Sequence, residues 1–111
     1  MFYSRTDRRN ETTLRIIGDL DALTAPGLRE VIGLLVQQRR SFVKVDLSSL
    51  SSIDGSGIGA LVSLCKRLGE QGGDVCTVGV HDQPLAIFRL LRLESYFSPA
   101  GTTPRAMSNA A

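Results

Sequence analysis

The residues with the most chemical content lie in one stretch: Asp54, Gly55, Ser56, Gly57, Ile58 and Gly59. A serine hydroxyl stands there among glycines, with a carboxylate two residues before it. Glycine costs a helix about 1 kcal/mol against alanine, so glycines spent at a helix entrance need a reason. One reason is access, because a partner's backbone or a phosphate comes close only where no Cβ intervenes. A helix start also offers unpaired N–H groups and a partial positive charge, so its own chain would tolerate a phosphate there. Four uses fit the spacing. Asp54 or Ser56 could cap a helix while the glycines ease its packing on a sheet. The loop could cradle a phosphate, although Gly55-x-Gly57-x-Gly59 is neither the dinucleotide fingerprint nor the P-loop, and no Gly-Lys-Ser/Thr follows. Ser56 could be a nucleophile, although the elbow pattern wants glycine where Asp54 stands and His81 is the sole candidate base. Or Ser56 could accept phosphate from a separate kinase. Residue types and spacing leave all four open.

The rest of the chain supplies little other chemistry. Cys65 and Cys76 match no zinc or redox spacing and sit in apolar segments, as small buried hydrophobes do. With a single histidine a metal site is poorly supplied, and no motif asks for a cofactor. The 111 residues carry 13 Lys and Arg against 11 Asp and Glu, a net charge of +2. The basic residues are scattered: Arg8 and Arg9, Arg39 and Arg40, Lys66 and Arg67. A nucleic-acid surface gathers such charges into a stripe interleaved with stacking aromatics. Here tryptophan is absent and aromatics make up only 5%, so nucleic acid is not an expected partner. No apolar run approaches the roughly 20 residues of a membrane span, and residues 1–10 lack the apolar stretch of a secretory signal. A cytoplasmic location and no membrane partner are expected.

The elements that must position Asp54 to Gly59 follow from periodicity. One domain of ordinary soluble composition is expected, with a core at about 10–98 and a flexible tail at 101–111. A short strand is expected at 2–4. A β-branched strand follows at 12–17, broken by Gly18-Asp19-Leu20-Asp21. Leu28, Val31, Ile32 and Leu35 recur at helical spacing and predict a helix over 24–38, capped by Thr24 with Pro26 in its first turn. A strand over 42–47 gives way to a polar, serine-rich turn at 48–55. A second helix runs over 56–70 and is ended by Gly72-Gly73. The run over 74–80 reads as a strand buried on both faces. A short helix over 82–91 and a last short strand at Tyr96-Phe97 complete the chain. Strands alternating with helices predict an α/β fold: a mixed sheet of four to five strands, with three or more helices packed mainly on one face.

The run Asp46-Leu47-Ser48 to Ile53-Asp54-Gly55-Ser56-Gly57-Ile58-Gly59 resembles the signature of STAS domains, and more narrowly that of the stand-alone bacterial anti-sigma factor antagonists, also called anti-anti-sigma factors. The likeness extends over about 10–98 and takes in Gly18-Asp19-Leu20-Asp21, the helix from Thr24, Gly72-Gly73, and Leu91 and Leu93 before Tyr96-Phe97. It implies that Ser56, the hydroxyl residue before glycine, is the phosphorylated one, and that Asp54 fills the family's acidic position. Gly55 departs from the more usual Ser or Thr, which removes a hydroxyl beside the acceptor. The likeness also makes Asp21, Thr24, Asp54, Gly55, Gly57 and Ile58 candidates for partner contact. For Asp21 a plain turn or helix-capping role is the competing expectation. The implied partners are an ATP-binding serine kinase that doubles as an anti-sigma factor, and a PP2C-type phosphatase. The implied protein is not an enzyme, uses no cofactor or metal, and is a monomer or weak dimer. The rival implication is a constitutive STAS scaffold, or an accessory subunit of a signalling or lipid-transport complex.

Overall fold

The computed structural model describes residues 2–97, and the tail expected at 101–111 lies outside them. In chain order it forms β1 (Phe2–Asp7), β2 (Glu11–Leu20), α1 (Ala25–Gln37), β3 (Phe42–Ile53), α2 (Gly55–Glu70), β4 (Asp74–Val78) and α3 (Asp82–Leu90), then a 3₁₀ turn at Leu93–Tyr96. The sheet order is β1-β2-β3-β4. β1 and β2 pair antiparallel as a hairpin. β2, β3 and β4 pair parallel, so α1 and α2 must carry the chain back between them.

Strict alternation in β2 buries Thr12, Leu14 and Ile16 and exposes Arg15 and Ile17. The buried stripe of α1, Leu28, Val31, Ile32 and Leu35, joins Ala60, Leu61, Leu64 and Leu68 of α2, Phe88 of α3 and alternate residues of β2 and β3 in a single cluster. The three helices therefore share one face of the sheet, as expected. Each fully buried aliphatic side chain contributes about 1.5–3 kcal/mol. The other face carries polar pairs: Glu11 lies 3.4 Å from the Lys44 ammonium, and the Arg15 guanidinium donates to Ser49 Oγ at 2.7 Å and 3.2 Å. Two-sided burial in β4 holds for Asp74, Val75 and Cys76 and fades at Thr77 and Val78. Cys65 and Cys76 are free thiols. Burial raises both of their pKa values, pushing Cys65 up to about 12, so both act as hydrophobes.

Three expectations need correction. Gly18 to Leu20 continue β2 rather than breaking it, with Gly18 taking a φ of +93°. The serine-rich stretch expected to turn at 48–55 is the second half of β3. Its pairing with β2 shifts register twice: Arg15 faces Asp46 but Ile17 faces Ser49, and Gly18 faces Leu50 but Asp19 faces Ser52. Each bulge inserts one extra residue on β3, so burial steps from Leu47 to Leu50 to Ile53 at intervals of three instead of two. Finally, Tyr96-Phe97 forms no strand. Leu93 and Phe97 are both buried, and the 3₁₀ turn between them sets Phe97 parallel to Phe88, with ring centroids 5.8 Å apart.

Candidate functional site

Parallel pairing brings the carboxyl ends of β2 and β3 together, with Leu20 beside Ile53. The next residues, Asp21 and Asp54, lead into α1 and α2. The Asp54 N–H donates to the Leu20 carbonyl at 3.1 Å, tying one loop to the other. In open α/β sheets the crevice outside the strand carboxyl ends is where ligands and partners gather.

Asp54 is the N-cap of α2. Its Oδ1 accepts from the N–H groups of Ser56 (2.9 Å) and Gly57 (3.2 Å), and its carbonyl accepts from Ile58 N–H at 2.9 Å. Such a cap stabilises a helix by about 1 kcal/mol. It also engages the N–H groups of Ser56 and Gly57, two of the first-turn donors that were expected to receive a phosphate. Ser56 is exposed, and among the described residues its hydroxyl has no hydrogen-bond partner.

The three glycines divide by function. Gly57 was expected on the partner surface, but it is buried. A Cβ there would lie 2.7 Å from both the Leu20 carbonyl oxygen and Leu20 Cγ, and 2.8 Å from Ile53 Cγ1. Its lack of a side chain lets α2 press onto the ends of β2 and β3. Gly55 is exposed, and a Cβ there meets nothing within 4 Å, so the fold does not require glycine at that position. A Cβ on Gly59 would lie 3.2 Å from one terminal nitrogen of Arg29, an exposed residue of α1.

In the neighbouring loop, Asp21 Oδ1 accepts from the N–H groups of Leu23 (3.0 Å) and Thr24 (3.2 Å). The competing expectation for Asp21, a turn residue, describes this geometry. Thr24 stands at the N-cap of α1, but its side chain does not cap the helix. Its hydroxyl instead donates to the Asp19 carbonyl at 2.9 Å and accepts from Asp21 N–H at 2.8 Å. Ile58 is half-buried against the core. The two loops of the site are thus held by internal hydrogen bonds, with Ser56 as an unengaged hydroxyl.

Two positioning residues gave no sign in the sequence. β4 accompanies β3 only as far as Asp46, opposite Val78. Beyond that, side chains from the start of α3 take over as the neighbour. The Gln83 amide grips Ile53 on both backbone groups: Oε1 accepts from its N–H and Nε2 donates to its carbonyl, each at 3.0 Å. His81 Nε2 donates to the Ser48 carbonyl at 2.9 Å, and Nδ1 lies 2.7 Å from an Asp82 carboxylate oxygen. The Ser48 carbonyl first, and the Asp82 carboxylate second, raise the His81 pKa above the ordinary histidine value. On the same strand, hydrogen bonding from Ser48 holds Asp46 below the usual carboxylate range.

This geometry separates the four uses. Asp54 performs the capping. The cap occupies two of the donors a phosphate cradle would use. Both nitrogens of His81 are engaged away from Ser56, so His81 is not placed as its base. An exposed hydroxyl, firmly held by its backbone, remains. Among the described residues no group of three or more His, Cys, Asp or Glu gathers as metal ligands, and no helix is long and apolar enough to cross a membrane.

The chain is similar to known proteins. An anti-sigma-B factor antagonist of Staphylococcus aureus is 28% identical over 81 residues, covering 73% of this chain and 75% of the relative. One of Listeria monocytogenes is 26% identical over 78 residues, covering 70% and 68%. The solved structure of the Bacillus cell fate determinant SpoIIAA in its phosphorylated form superposes with a TM-score of 0.72 at 19% identity, over 99% of this chain and 100% of the other. The unphosphorylated form of the anti-sigma factor antagonist SpoIIAA gives 0.73 at 16%, over 98% and 94%. The sequence profile of the STAS domain matches residues 3–106, and the chain belongs to the STAS domain family.

Proposed function

We propose that this chain is an anti-sigma factor antagonist switched by phosphorylation of Ser56. In the unmodified state the surface around Ser56, with Asp21, Thr24, Gly55 and Ile58 at its edges, docks on a serine kinase that is also an anti-sigma factor. Docking competes with the kinase's other client and frees it. The kinase then transfers the γ-phosphoryl group of ATP to Ser56 Oγ. The Oγ–P bond forms, the bond to the bridging oxygen breaks, and ADP and the hydroxyl proton leave. A PP2C-type phosphatase hydrolyses the ester and resets the state. The chain itself is not an enzyme. It needs no activating base, because a kinase supplies nucleotide, metal and base. It works in the cytoplasm as a monomer or weak dimer.

The observation that carries this reading is the exposed, unpartnered Ser56 hydroxyl on a first turn pinned by Asp54. Phosphate adds about 1.5–2 negative charges. On a surface shaped for a neutral hydroxyl, a desolvated, unpaired charge costs several kcal/mol, and about 3 kcal/mol weakens binding by roughly a hundredfold. A block of rigid-body docking is then sufficient. The test uses purified kinase from the same organism with Mg-ATP. Mass spectrometry should show one phosphate on Ser56 and none on Ser56→Ala, which still binds. Constitutive binding with no phosphate on the wild type would instead favour the scaffold reading.

A further inference from the structure

We propose that Arg29 is the internal clamp for phosphoserine 56, so that modification both adds charge at the acceptor and takes a cation away from the docking surface. The inference rests on Ser56 being the acceptor. Three observations on this end of the molecule carry it.

First, three of the N–H groups that could receive such a phosphate are already engaged. The N–H groups of Ser56 and Gly57 bond the Asp54 carboxylate and that of Ile58 bonds the Asp54 carbonyl. Asp54 also places a negative charge beside the new one. A cation from another element would offset the charge of a phosphate on Ser56.

Second, the Arg29 guanidinium from α1 lies one turn along α2 from Ser56. Its terminal nitrogen approaches to 3.2 Å of the Cβ position of Gly59. Ser56 and Gly59 are three residues apart on α2, and side chains at that spacing are surface neighbours, about 5–6 Å apart at Cβ. The missing side chain of Gly59 leaves the guanidinium room to lie there.

Third, Arg29 has no other engagement. Among the described residues it makes no hydrogen bond or ion pair, in contrast to Arg5, Arg15 and Arg40. A planar guanidinium matches phosphate oxygens through two parallel N–H donors. In the unmodified state it stands free to meet an acidic group on the partner; in the modified state it is neutralised from within.

The experiment places phosphoserine at position 56 of the full chain during translation, so no kinase is needed, and follows the phosphate by ³¹P NMR across a pH titration. In the wild type the second phosphate ionisation falls below the free value of about 6. In Arg29→Gln it rises by roughly half a unit, the scale of a surface ion pair, and in Arg29→Lys, which keeps the charge, part of the drop returns. Thermal unfolding of the unmodified variants should match the wild type, separating clamp from fold. Identical titrations for wild type and Arg29→Gln would overturn the clamp. Failure of Ser56 to be phosphorylated by any kinase would overturn the switch but leave these titration curves as they are.

Discussion

The two ends of the sheet are both rich in polar side chains, and they use them in opposite ways. At the end where β1 turns into β2 and α1 descends into β3, the groups lock onto one another. Arg40 donates to Thr12 Oγ1 (2.8 Å), the Arg8 carbonyl (2.6 Å) and the Glu11 carbonyl (3.1 Å). Thr12, fully buried, in turn donates to Asp7 (2.8 Å), and Arg5 bonds both Asp7 (3.0 Å) and Gln38. The Arg5 and Thr12 hydrogen bonds hold Asp7 below the usual carboxylate range. At the other end the backbone is held just as firmly by Asp54, Asp21, Thr24 and Gln83, yet the Ser56 hydroxyl and the Arg29 guanidinium are left over. Polar density alone therefore does not mark a functional site. What sets the second end apart is an exposed hydroxyl without a protein partner on a hydrogen-bonded loop.

The hardest way to break this contrast is to push on the packing beneath Ser56. Gly57→Val should cost about 3 kcal/mol, because the obstructing atom is the Leu20 backbone oxygen at 2.7 Å and cannot swing aside; urea unfolding followed by circular dichroism measures it. Next comes charge at the free hydroxyl. Ser56→Asp should leave folding nearly unchanged while weakening kinase binding roughly tenfold to a hundredfold, and unchanged affinity in calorimetry would count against exclusion by charge.

The opposite end gives a smaller effect with the reverse signature. Arg40→Ala should cost about 1–2 kcal/mol of stability and leave Ser56 phosphorylation kinetics untouched. Gly55→Ala should raise stability by about 0.4–1 kcal/mol, since a Cβ at that position meets nothing. A loss there, read from the unfolding midpoint, would mean that the turn needs glycine after all.

The smallest effect is on pH. His81 has a raised folded-state pKa, so its stabilisation is complete below the ordinary value of about 6.5 and is lost as pH rises through the folded value. The brace on Ser48 should weaken over that interval. Unfolding midpoints of wild type and His81→Asn, taken on either side of it, should differ more on the acidic side.

Much of this was legible in the residue string. The helical spacing of Leu28, Val31, Ile32 and Leu35, the β-branched run from Thr12 and the Gly72-Gly73 stop are local signals, and the elements formed where those signals lay. The run from Asp54 to Gly59 marked the candidate site because chemistry-bearing types were adjacent in sequence. The second half of β3 was not legible. Leu47, Leu50 and Ile53 recur every third residue, a period that no regular strand has, and only pairing with β2 through two bulges makes strand of it.

The division among Gly55, Gly57 and Gly59 was equally hidden, since what a Cβ would strike depends on Leu20 and Arg29, each about 30 or more positions away. The sequence alone determined which residues could do chemistry and which segments would be helices, because propensity, capping and periodicity act over a few neighbours. Tertiary structure alone decided which polar groups are used up and which are left over. Satisfaction of a hydrogen bond depends on distance in space, and parallel pairing brings together groups that the chain holds far apart.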